Sequence, residues 1–125
     1  MVISQLRSKR KSSGGRYHDY RKKKQNEKGD LPTLTKLGEK KSKTVAGIGS
    51  TEKRKLLNAN EANVLDSKTK KYVKAKIKAI VENPANRNYA RRNIITKGTI
   101  IDTDKGKAKV TSRSGQDGNI NAILM

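Results

Sequence analysis

Cysteine is absent from this 125-residue chain. Disulfides, zinc ribbons and thiolate nucleophiles are excluded with it. Histidine occurs once, at His18, so a multi-histidine metal centre is excluded too. Trp and Phe are missing and Tyr appears four times, so any core must be small and aliphatic. No apolar run approaches the ~20 residues of a membrane span. The start of the chain lacks the apolar stretch of a secretion signal, and no N-x-Ser/Thr sequon occurs. The expectation is a reduced, cytoplasmic protein without metal, cofactor, membrane or small-molecule substrate.

Carboxylates are also scarce: 11 Asp and Glu stand against 31 Lys and Arg, a formal net charge of +20. Charge of one sign at this density repels itself in a compact free chain and calls for a polyanion. It concentrates early. "SKRKSSGGRYHDYRKKK", Ser8 to Lys24, holds eight cations against Asp19. Residues 1–30 hold ten basic and three acidic groups and show no lasting apolar period. Such a segment cannot offset its own ordering entropy. Its Arg7, Lys9, Arg10, Lys11, Arg16, Arg21, Lys22, Lys23 and Lys24 are candidate phosphate contacts. Tyr17 is a candidate base-stacking ring, with His18 and Tyr20 beside it; a ring that merely anchors the segment is the plain alternative. A nuclear import signal, a membrane-surface segment and an idle solvated tail are the other readings of the charge. No lipidation motif or apolar helix face supports the membrane.

From about residue 31 apolar and polar residues alternate between turn signals, the pattern of an all-β domain. "YVKAKIKAIVE", Tyr72 to Glu82, is the clearest strand. Period two puts Val73, Ala75, Ile77, Ala79 and Val81 on one face, and Lys74, Lys76 and Lys78 on the other with Ile80. The lysine row reads as solubility or as RNA contact; at this net charge we favour the second. "KLLNANEANVLD" reads as two short strands or one bent one, and "DSKTK" as the turn that follows. Asn83-Pro84 ends the long strand. "ANRNYARRN" is a loop with room for one helical turn. "NII", "TIID", "KAKVTS" and "INAILM" are further short strands, with turns at "TDKG" and at the Asp-Gly of "SGQDGN". Short strands with small inward residues predict a closed, small antiparallel β-barrel over residues 31–125, preceded by a long basic, non-globular extension over residues 1–30.

Catalytic constellations are weak. Ser12 or Ser13 with His18 and Asp19 lacks a fixed scaffold. "GIGSTEK" has the spacing of neither phosphate-loop nor dinucleotide motifs. "DTDKG" lacks the later ligands of a calcium loop. No enzyme is expected.

"VENPANRNYARRNIITKG" (Val81–Gly98), with "KSSGGR" (Lys11–Arg16), "TKLG" (Thr35–Gly38) and "VTSRSGQDG" (Val110–Gly118), closely resembles the archaeal and eukaryotic-type ribosomal protein eight of the small subunit. The resemblance spans almost the whole chain, and the short length looks archaeal. It implies a structural protein that binds small-subunit ribosomal RNA in the cytoplasmic ribosome among neighbouring ribosomal proteins. The matching positions it implies at RNA are Lys11, Gly14, Gly15 and Arg16, then Arg91, Arg92 and Lys97, then Arg113 and Gly115. Ser13 and Ser114 depart from the family pattern, which often has Thr and Pro there; the second change is expected to loosen its turn. An assembly factor with the same domain and a DNA-compacting protein are the alternatives.

Overall fold

A computed structural model describes residue 3, the backbone of residue 4, and residues 6–125. Two compact units result, Met1–Pro32 and Thr33–Met125.

In the first unit, β1 (Ile3–Ser4) pairs antiparallel with β2 (Lys28–Gly29). A single 3-10 turn, Gln25–Glu27, precedes β2. Residues 9–17 fold back on themselves: the Tyr17 N–H donates to Lys9 O, the Lys11 N–H to Gly15 O and the Gly14 N–H to Lys11 O. Gly14 closes this bend with φ +85, a conformation L side chains rarely adopt. The segment expected to be non-globular therefore carries local structure. Among its described residues none is buried, so backbone turns and surface ion pairs hold it together.

The second unit is all-β. Its first strands are β3 (Thr35–Leu37), β4 (Lys41–Ala46), β5 (Glu52–Ala59), β6 (Glu61–Leu65) and β7 (Tyr72–Glu82). Helix α1 (Arg87–Arg91), β8 (Ile94–Ile95), β9 (Ile100–Thr103) and β10 (Gly106–Val110) follow, then α2 (Ser114–Asp117) and β11 (Asn121–Leu124). Strands β6, β7, β9, β10 and β11 close a barrel, and β4-β5-β3-β8 form a second sheet. Asn60 alone separates β5 from β6, so one bent stretch of chain serves both sheets.

The barrel is not wholly antiparallel as expected. Strand β11 runs parallel to β6, while the other four pairs are antiparallel. Parity requires this, because directions cannot alternate all the way around a ring of five.

Five strands also enclose little space. Alanine accordingly fills many inward positions: Ala59, Ala62, Ala75, Ala108 and Ala122 are buried with Leu56, Val64, Ile77, Ile95, Ile101, Val110 and Ile120. The β6–β7 turn is fixed by Asp66, whose carboxylate accepts from the Lys68 N–H (3.0 Å) and the Thr69 hydroxyl (2.9 Å). Those bonds hold its pKa below the ordinary aspartate range.

Two sequence expectations change. Along β7 the alternation holds from Ala75 to Ile77, with Val73 exposed at the strand's start, and then inverts. Ladder irregularities between Ile77 and Ala79, and between Ile80 and Glu82, add a bulge that turns the strand over. Ile80 packs against the core, while Ala79 is exposed and Val81 is 48% exposed. The Asp-Gly of "SGQDGN" is not a hairpin turn. Asp117 ends α2, and Gly118 caps it in the left-handed region at φ 69. Gly118 is buried against β5, where a Cβ would lie 2.7 Å from Arg54 Cβ.

The bulge makes a testable ordering. Ile80→Ala should destabilise by ~1–3 kcal/mol, and Val81→Ala by less than ~1 kcal/mol. Unbroken period-two alternation predicts the reverse, and thermal melting of both variants distinguishes the two.

Candidate nucleic-acid interface

Each unit presents its own cations. In the first, several candidates have partners inside the chain. Lys9 Nζ lies 3.0 Å from Asp19 Oδ2. The Arg7 guanidinium sits over the Tyr17 ring, 3.9 Å from its centroid, with Lys11 Nζ at 5.5 Å. Tyr17 thus serves as a cation platform within the unit. Tyr20, 88% exposed, is the more open ring, although Arg21 reaches it at 5.1 Å.

Arg21 forks onto Glu27. Nη1 donates to Oε2 at 3.0 Å and Nη2 donates to Oε1. The Lys24 N–H also donates to Glu27 Oε2, at 3.0 Å. The Arg21 fork first, and that N–H second, hold the Glu27 carboxyl below its usual range. Arg21, raised further above its already high value, stays charged. This candidate phosphate contact is therefore a brace of its own unit. Arg10 Nη1 is similarly turned back onto Gly14 O at 3.1 Å. Lys22 and Lys24 are exposed and Lys23 is half-buried; Arg16 is exposed and pairs with Arg10 in an isolated backbone bridge.

In the second unit the central motif is built on Asn83, which is buried. Its Nδ2 donates to Ile94 O at 3.0 Å, and its Oδ1 accepts from the Ala85 N–H (3.1 Å) and the Thr96 hydroxyl (2.9 Å). One side chain thus clamps both ends of the loop that carries the arginines. Asn86 caps α1, accepting from the Asn88 N–H at 2.9 Å. Asn93, at φ 53, ends it in the left-handed region, and its carbonyl accepts from the Leu37 N–H at 3.0 Å. Arg91 and Arg92 are exposed at the end of this braced turn. Lys97 is exposed in the turn that follows β8, so the two cationic positions bracket that strand.

Helix α2 joins the same sheet. The Ser114 hydroxyl is buried and lies 2.8 Å from Thr35 Oγ1, which donates to Leu56 O at 2.6 Å. Ser114 Oγ also reaches Ile95 O at 3.4 Å. Serine here does not loosen the turn as expected; it pins α2 to β3 and β8. Arg113, exposed at the start of α2, is thereby held beside the strand flanked by Arg92 and Lys97. Gly115 has a packing reason of its own, since a Cβ there would lie 3.0 Å from Thr33 Cβ.

The β7 lysines sit among acids. Lys76 faces Glu61 across the ladder, and Lys78 Nζ lies 3.4 Å from Asp104 Oδ1. Lys74 borders a polar groove of about 280 Å³ with Lys40, Asn60 and Asn119. This row is less purely cationic than its alternation implied. Two features escaped the sequence reading. Arg87 stands one helical turn before Arg91, on the same face of α1. The β4–β5 hairpin carries Lys41, Lys43, Lys53, Arg54 and Lys55 against Glu52 alone. The four-residue spacing was the available signal for Arg87; the hairpin gave none, because its apolar residues do not alternate.

The model of the family described as Ribosomal protein S8e matches residues 4–125. The chain belongs to this family. Membership makes it a ribosomal protein, a cytoplasmic structural component rather than an enzyme. Its relatives include the "Small ribosomal subunit protein eS8" of Methanocorpusculum labreanum, 50% identical over 99% of this chain and 99% of the relative. The protein of the same name from Methanococcus aeolicus is 50% identical over 100% of this chain and 98% of its own length. That from Haloarcula marismortui is 46% identical over 97% of both. The S8e chain described here is thus of the archaeal type and matches its relatives nearly end to end.

The Arg21–Glu27 fork has a pH signature. Glu27 has a lowered pKa in the folded unit, so its contribution is present above the ordinary carboxylate range and is lost as pH falls through the lowered value. Carbon-detected NMR titration of Glu27 should show that depression, and Arg21→Ala should return the midpoint toward an ordinary glutamate. An unchanged midpoint in the variant would remove the fork from the account.

Proposed function

We infer that this S8e protein is a structural constituent of the small ribosomal subunit and acts by binding and stabilising small-subunit ribosomal RNA, among neighbouring ribosomal proteins. The observation that carries this reading is the near end-to-end match to relatives named as small ribosomal subunit proteins. The physical support is the excess of 31 cations over 11 carboxylates, most of it exposed. Phosphates neutralise such a surface and release their counterions as they do so.

In this reading the two units have different tasks. The basic unit up to Pro32 is the RNA-binding extension, and the β-barrel unit is the rigid platform. With no buried side chain among its described residues, the extension gains most of its order from RNA. Lys22, Lys23 and Lys24 act there as point charges on phosphate, and Tyr20 is its most open stacking ring. On the platform, Arg91, Arg92, Lys97 and Arg113 form the recognition face. Arg presents a planar fork to phosphate or base edges, and the Asn83 clamp fixes the loop before binding.

Changing Arg91 and Arg92 together to Lys keeps the charge and removes both forks. Binding of the full chain to an archaeal small-subunit rRNA transcript, at one fixed salt concentration, should weaken by ~1–3 kcal/mol per fork lost. Lys22→Ala with Lys23→Ala should cost less. The reverse ranking, with folding intact in both, would move recognition from the platform to the extension.

A further inference from the structure

We propose that the β4–β5 hairpin is a separate RNA-reaching ribbon, with lysines on phosphates and Ile48 packed against an unstacked base; this rests on the RNA-binding reading above. The hairpin register sets Lys43 directly across from Lys55, and Val45 across from Lys53. Alternation puts those four side chains on one face. The other face carries Leu56, which is buried, and Arg54, whose Cβ abuts Gly118. On the lysine face Lys43 and Lys53 are exposed while Val45 and Lys55 are half-buried, and α2 packs on the Arg54 face. Protection of an edge strand accounts for Lys41 and Lys43 on β4. It does not account for Lys53, which stands on β5 opposite an apolar Val45.

The tip adds an independent observation. The loop from Gly47 to Thr51 is tied by the Gly47 N–H to Thr51 O (2.6 Å) and the Thr51 hydroxyl to Ile48 O (2.9 Å). A Cβ at residue 47 would lie 2.5 Å from Thr51 Oγ1, so a side chain there would displace the hydroxyl that ties the loop. This braced loop holds Ile48 97% exposed. A single exposed apolar side chain is ordinary in itself. One held at the apex of a cationic two-stranded ribbon has the form of a wedge that enters a nucleic-acid groove and packs on an unstacked base.

The test uses the full chain and an archaeal small-subunit rRNA transcript across a salt series. Lys43→Gln with Lys53→Gln removes two phosphate contacts, and should lower the slope of log affinity against log salt by about 1.5–2. Ile48→Ser should weaken binding several-fold and leave that slope unchanged. Circular dichroism and melting establish that both variants fold. The chain has no cysteine, so Ser50→Cys gives a unique attachment point for an iron chelate. Its hydroxyl radicals should cut the transcript at one confined cluster of nucleotides. An unchanged salt slope, an Ile48 variant with full affinity, or unlocalised cutting overturns the inference; full affinity with Ile48→Ser would assign the tip to a protein neighbour instead. Failure of the unaltered chain to bind overturns the RNA-binding reading as well. Normal binding, weakened by Arg91→Lys with Arg92→Lys but not by the hairpin variants, overturns the hairpin inference alone.

Discussion

Thirty-one Lys and Arg side chains share one small surface with eleven carboxylates, and most of the structure follows from that imbalance. Few cations can be neutralised internally. Asp19 is taken by Lys9, Glu27 by Arg21 and Asp104 by Lys78. A compact chain survives the resulting repulsion only if burial of its core offsets it. The five-stranded barrel provides this by sealing small aliphatic residues inside, with the lysines of β7 and β10 pointing outward. Among its described residues the first unit buries no side chain, and Asp19 and Glu27 become local braces there.

Buried polar groups give the second unit its precision. Asn83 joins the two ends of the arginine loop, and the Ser114–Thr35 pair seats α2 on the sheet. Each acts at a point where backbone leaves the regular ladder and would otherwise leave donors or acceptors unpaired. The exposed Arg91, Arg92 and Arg113 thus stand on braced turns, while Lys22 and Lys24 stand on a unit with no buried residue among those described.

Much of the barrel was legible because its strands alternate. Ala108 and Val110 turn inward and Lys107 and Lys109 outward, as the pattern required. The β7 lysine row was legible too, up to the bulge at Lys78. A bulge leaves no reliable mark in a sequence, so Ile80 and Val81 were assigned to the wrong faces. The parallel β6–β11 pair was missed because strand direction is a property of the closed ring, not of any segment. The Asp-Gly dipeptide pointed to a hairpin, but packing of Gly118 on Arg54 selected a helix cap. At the interface, charge identified the candidates but not their occupancy. That Arg7 covers Tyr17 depends on the fold-back around Gly14, and that Arg21 is spent on Glu27 depends on the 3-10 turn that holds Glu27 at the Lys24 N–H. Of the β4–β5 hairpin only the end of β5, from Lys55, was legible as strand, for a related reason. Its strands are set by pairing with each other and by the burial of Leu56 and Ala59, not by an apolar rhythm of their own.

The central claim is that the excess charge is balanced by small-subunit RNA in the mature particle. Quantitative mass spectrometry across a density gradient of cell extract, run in low and in high salt, tests it most directly. One copy of the chain per mature small subunit, retained at low salt and released as salt rises, is the result this account predicts. A chain absent from mature subunits, confined to precursor particles or travelling with DNA, would contradict it.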